Sequence, residues 1–159
     1  QEPVEEVIGA AVAAMEKRAP EREINVHIPD EILMVPMDAR LIGQVLTNLL
    51  DNAVKHTQPE EEISVTVSKD TQQQVAVFTV ADRGCGIAAQ DLPNIFQMFY
   101  TTKGKGPDAR RGIGLGLAIC ESIVTAHGGT IRAQNQGSGK GAVFTFTLPL
   151  EENTDDQTQ

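Results

Sequence analysis

Tryptophan is missing from the 159 residues, tyrosine occurs once, cysteine twice and histidine three times. Each shortage excludes something. Cys85 and Cys120 fit no metal-ligand spacing and are expected as free thiols in a reducing compartment. Both look like packing residues, although Cys85 stands between two glycines and is open to access. Cations are also scarce. The net charge of −9 argues against nucleic acid as a partner, because phosphate backbones recruit basic surfaces. No stretch approaches the ~20 apolar residues of a membrane span, and no signal-peptide pattern opens the chain. A cytoplasmic domain without direct membrane contact is expected. What remains is an ordinary apolar content of 40%, enough for the core of one domain. That domain is expected over residues 1–150, with 151–159 a disordered polar, acidic tail.

Periodicity places the elements. Val4 to Ala19 reads as a helix stopped by Pro20, and Glu23 to Ile28 alternates as a strand. Asp38 is a good N-cap for a long helix from Ala39 to about His56. Ile63–Ser68 and Val75–Ala81 alternate at period two as a hairpin. Thr101 to Gly112 is rich in Gly, Lys and Arg without periodicity, which predicts a long lid-like loop. Leu115–Ala126 is predicted as a helix ended by Gly128 and Gly129, followed by strands Thr130–Gln134 and Val143–Leu148 around the turn GSGKG. The fold class expected is α+β: a two-layer α/β sandwich, its mixed, mostly antiparallel sheet covered by helices on one face.

Three stretches carry chemistry. NLLDNAVKHT, Asn48 to Thr57, spaces two amides four apart, so they share a helix face distinct from that of Leu49, Leu50, Ala53 and Val54; Lys55 follows. DRGCGI, Asp82 to Ile87, follows a strand directly, and Gly84 and Gly86 allow a tight turn that a ligand can approach. Asp82 at the strand end suits an exocyclic amine such as adenine's, although taken alone the motif is better explained as a plain turn capped by Asp. RGIGLGLAI puts Gly112, Gly114 and Gly116 at a helix entry, each costing about 1 kcal/mol against Ala if interior. Backbone N–H groups that must face phosphates justify that cost. The spacing GxGxG is not the dinucleotide fingerprint, and GSGKG lacks the residues of a Walker A loop.

In this order the stretches resemble the ATP-binding domain of sensor histidine kinases, within the superfamily that includes gyrase, Hsp90 and MutL. NLLDNAVKHT resembles the N box, DRGCGI the first glycine box, IFQMFY the F box and GIGLGL the second glycine box. The resemblance covers roughly Val4 to Leu150 and is nearest to the KdpD-type, potassium-sensing kinases. It implies the Bergerat-type fold, with ATP and Mg²⁺ as cofactors. It also implies that Asn48 coordinates the metal, a role suited to a carboxamide oxygen and a hard cation. Asn52 contacts phosphate and Lys55 neutralises it, so these residues with Asn48 form the catalytic set. The nucleotide is expected at Asn52, Lys55, Asp82, Gly84, Gly86, Ile87, Tyr100, Lys103, Arg111, Gly112, Gly114, Leu115, Gly116 and Leu117. Tyr100 would stack on adenine, Phe96 and Phe99 would anchor the lid, and Lys105 and Arg110 read as solvated.

ATPases of the superfamily carry Glu where this chain has Asn48. An amide cannot take a proton from water, so phosphoryl transfer is favoured over hydrolysis. None of His27, His56 and His127 fits the family's phospho-acceptor pattern. His56 is expected near ribose or phosphate, and His127 as a helix-end residue favoured by the dipole. The expected protein is therefore the catalytic half of a two-component kinase. Its partners would be a histidine-containing dimerisation domain and a cognate response regulator. A non-catalytic ATP-sensing module and a GHKL ATPase are the competing readings.

Overall fold

The computed structural model describes residues 1–97, 113–136 and 141–151, without the side chains of 113–115. The lid expected over Thr101–Gly112 lies outside them, as do Phe99, Tyr100, Lys103, Arg111, the centre of the GSGKG turn and most of the tail. Four elements precede the central helix. Strand β1 (Glu2–Pro3) leads into α1 (Val4–Arg18), followed by β2 (Ile24–His27) and β3 (Met34–Val35). β1 and β3 pair antiparallel in a two-stranded sheet of their own. Then come α2 (Ala39–Lys55), the hairpin β4 (Ile63–Asp70) and β5 (Val75–Asp82), a 3₁₀ turn at Leu92–Asn94, α3 (Ile113–Ala126), β6 (Ile131–Asn135) and β7 (Ala142–Pro149).

The five-stranded sheet has the order β2-β4-β5-β7-β6, in which only the β2–β4 pair is parallel. That is the mixed, mostly antiparallel sheet expected. Alternation fixes which residues face the helices. In β5 the inward set is Ala76, Phe78, Val80 and Asp82. The pleat that buries Phe78 therefore also turns Asp82 toward the helix layer. Phe78 lies opposite Phe146 of β7, and their rings stack at 4.6 Å.

α2 is the middle helix of the layer and packs on α1, α3 and the sheet. Asp38 caps it as expected, Oδ1 accepting from Arg40 N at 3.1 Å and Leu41 N at 3.2 Å. Its face of Ile42, Val45, Leu46, Leu49, Leu50 and Ala53 is buried, each large side chain contributing roughly 1.5–3 kcal/mol. Val4, Val7, Ile8, Ala11 and Met15 of α1 join the same core. Phe96 packs edge-on against Phe144 at 6.2 Å, so it anchors in the core as expected.

Candidate functional site

α2 and α3 run antiparallel, and their contacts keep step. Asp38 N–H donates to His127 Nε2 at 3.1 Å. Cys120 Sγ donates to Val45 O at 3.8 Å, and Asn48 Nδ2 donates to Gly116 O at 3.5 Å. Each advance along α2 is matched by a similar retreat along α3, which carries Asn52 level with the start of α3. The amide face of α2 and the glycines at the start of α3 therefore meet. α3 begins at Ile113, two residues earlier than its sequence pattern suggested, so Gly114 and Gly116 lie within its first turn. The first four N–H groups of any helix lack intrahelical partners, and here they come from Ile113 to Gly116. Leu117 is 5% exposed and belongs to the core, so only its backbone is available to a ligand.

His127 follows the last residue of α3, at the helix end as expected, and it also ties α3 to the start of α2. Nδ1 donates to Ile123 O at 2.8 Å while Nε2 accepts the Asp38 N–H, which fixes the neutral Nδ1–H tautomer. Cys120, inside the helix pair, has its thiol pushed up to about 12 by burial, partly offset by the Asn48 side chain. It is a packing group, as expected, whereas Cys85 is exposed.

The amide face of α2 is only half-buried. Asn48 uses Nδ2 toward α3, and its Oδ1 accepts no hydrogen bond among the described residues. The Asn52 side chain likewise has no hydrogen bond among the described residues. Lys55 pairs with Asp51 one turn back at 3.0 Å, both ends exposed enough that the pair contributes ~0–1 kcal/mol.

The DRGCGI turn is held far more tightly. Asp82 is 3% exposed, and its Oδ1 accepts from Gly84 N at 2.9 Å and Ala142 N at 3.1 Å. Oδ2 accepts nothing among the described residues. Asp82 thus caps its own turn and still keeps one oxygen for a donor. At Gly84 the close approach is made by the protein itself: a Cβ there would lie 2.1 Å from His56 O. Gly141 has φ +98°, and a Cβ on it would lie 2.0 Å from Asp82 O.

Sequence patterns missed the residues that fasten this turn. Asn135, at the end of β6, accepts from Ile87 N at 2.6 Å and donates to Ile87 O at 2.7 Å. Gln136 Nε2 donates to Asp82 O at 2.6 Å. On the other side the buried Arg22 donates to Val54 O at 3.3 Å, Thr57 Oγ1 at 2.5 Å and Glu61 O at 3.3 Å, clamping the end of α2. A recess of about 570 Å³ opens between that end and the turn, with Lys55, His56, Gly84 and Cys85 in its lining. Its size suits a small-molecule ligand.

Comparison with known proteins agrees with this geometry. Residues 37–152 match the family of histidine kinase-, DNA gyrase B-, and HSP90-like ATPases. Sensor protein KdpD of Clostridium acetobutylicum is 48% identical over 148 residues, 93% of this chain and 16% of that protein. The chain therefore spans about a sixth of that relative's length. Among solved structures, a mycobacterial sensor histidine kinase, MprB, superposes with a TM-score of 0.80 at 26% identity, over 95% of this chain and 98% of that one. The nucleotide-free catalytic domain of histidine kinase ThkA gives 0.79 at 28% identity, over 95% and 96%.

Proposed function

The chain belongs to the histidine kinase-, DNA gyrase B- and HSP90-like ATPase family, and from that premise we propose that it is the ATP-binding catalytic half of a two-component sensor histidine kinase. The observation that carries the reading is the amide face of α2, set against the glycine-containing start of α3. Asp82 Oδ2 accepts the exocyclic amine of adenine, while its Oδ1 stays with the turn. The N–H groups at the start of α3 face phosphate oxygens, helped by the positive end of the helix dipole. Lys55 moves from Asp51 to phosphate at little cost, because the exposed pair is weak.

The donor set fits Mg²⁺. Asn48 directs its N–H toward Gly116 and keeps a carboxamide oxygen, the ligand type a hard cation takes. Asn48, supported by Asn52, would hold the ion, which when bound offsets charge on the phosphates. Asn48 cannot abstract a proton, so water gains no general base there. The γ-phosphoryl group then passes to a histidine on a separate dimerisation domain, and from there to a response regulator. The identity to KdpD supports a place in a potassium-sensing kinase, whose sensing parts lie outside this chain. No described helix is long and apolar enough to cross a membrane, which suits a cytoplasmic domain of a membrane-bound sensor.

The test mixes this chain with the histidine-bearing helical domain of the same kinase, Mg²⁺ and labelled ATP. Acid-labile label on the helical domain is the expected result. ATP binding without any transfer would leave a nucleotide-sensing module and overturn the kinase reading.

A further inference from the structure

We propose that Asn135 and Gln136 are positioning residues that set base discrimination, by fixing where Asp82 presents its second oxygen. The inference rests on the nucleotide-binding reading above, and neither residue needs to touch the nucleotide.

Asn135 replaces a strand pairing that the turn cannot make for itself. Its carboxamide takes both backbone groups of Ile87, at 2.6 and 2.7 Å, across 48 residues of sequence. Ile87 is 8% exposed, so without Asn135 these groups would lose their partner where water has little access. Gly86 is shaped to this partner. Its φ is +78°, and a Cβ there would lie 2.9 Å from Asn135 Oδ1. Gln136 holds the other end of the turn through Asp82 O at 2.6 Å, and its own N–H donates to Gly141 O at 3.0 Å. The turn is thus fastened at Asp82 and at Ile87, on either side of the two glycines that give it freedom. Three backbone groups of the turn, Ile87 N–H, Ile87 O and Asp82 O, are held in one frame with the Asp82 carboxylate.

The consequence is chemical. A fixed carboxylate oxygen accepts from the amine that adenine carries and repels the carbonyl that guanine carries at the same ring position. Discrimination of this kind depends on the acceptor being held in place, because a group free to move can turn to water instead. A loosened turn should therefore lose selectivity first, and the phosphate contacts made by α2 and α3 should persist.

The experiment measures ADP and GDP binding by calorimetry, without metal, for the full chain and for Asn135→Leu. Leu keeps the branched heavy-atom skeleton of Asn, at a larger volume, and removes both bonds. The expected result is that ADP affinity falls about tenfold while GDP affinity changes little, so the preference collapses. Val7→Ala, in the α1 core and far from the turn, controls for lost stability and should keep the wild-type preference. If Asn135→Leu does not fold, Gln136→Met carries the same measurement with only the Asp82 tie removed. Equal losses for ADP and GDP, or an unchanged preference in a folded variant, would overturn the proposal. Wild-type chain that binds neither nucleotide would instead overturn the nucleotide-binding reading itself, and this inference with it.

Discussion

The two ends of the proposed nucleotide site are built in opposite ways. At the base end, Asp82, Asn135 and Gln136 make hydrogen bonds of 2.6–3.1 Å to the backbone, and two glycines are pressed against carbonyls. At the phosphate end, Asn48 bonds the α3 backbone only at 3.5 Å, and Lys55 rests on a partly exposed carboxylate. The difference follows the ligand. A base is rigid and neutral, so a preformed acceptor in a fixed turn recognises it with little reorganisation. A triphosphate with its cation brings its own charge and oxygens, and the protein must leave donors and acceptors available for it. Rigidity sits where shape is read. Unsatisfied polar groups collect where charge arrives.

Four substitutions sharpen or break this contrast. The largest effect is expected for Gly84→Ala, whose added Cβ meets His56 O and forces the turn from the end of α2. A loss of about 3 kcal/mol in urea unfolding is expected. A variant as stable as wild type would mean that the base end is looser than described. Next is Asn48→Ala, which should slow transfer to a supplied histidine domain about 100-fold. Its metal-free ADP affinity should hardly change, since the loss falls on charge compensation. Undiminished transfer would make Asn48 an ordinary surface amide. Third, Asp82→Asn should weaken ATP binding by about 2 kcal/mol in calorimetry, because the cap at Oδ1 can survive while the second position becomes a donor. The smallest effect belongs to Asp51→Ala, which should alter unfolding free energy by ~0.5 kcal/mol or less and leave ADP affinity no weaker. A clear loss there would show that the phosphate end is fastened as firmly as the base end.

Local patterns carried much of this architecture. The 3.6-residue period of α2, its Asp38 cap, the alternation of β4 and β5 and the order of the glycine boxes are all short-range features. They were enough to place α2, the hairpin and the glycine turns, whereas the contact of Asn48 with Gly116 spans 68 residues and came from the fold. Asn135, Gln136, Arg22 and His127 were not legible as structural ties. Their partners lie 32 to 89 residues away, and an amide or guanidinium aimed at a backbone group leaves no period behind. β1 and β3 span two residues each, too few for alternation to register. Gly84 was legible for a partly different reason than expected. The turn needs a glycine, but the group that approaches it is His56 O rather than a ligand. Asp82 bears out its reading as a turn cap, and its second oxygen is unengaged among the described residues.

The bond between Asp38 and His127 lies ten residues before Asn48, about 15 Å down the helix. Seen mechanically, that bond is a pivot and α2 is a lever arm. A tilt of only about 5° at the pivot would swing Asn48 through about 1.3 Å over that length, and a misplacement near 1 Å is enough to slow a positioned reaction by about two orders of magnitude. An imidazole at the opposite end of the helix pair thereby sets the angular tolerance of the residue proposed to meet the metal.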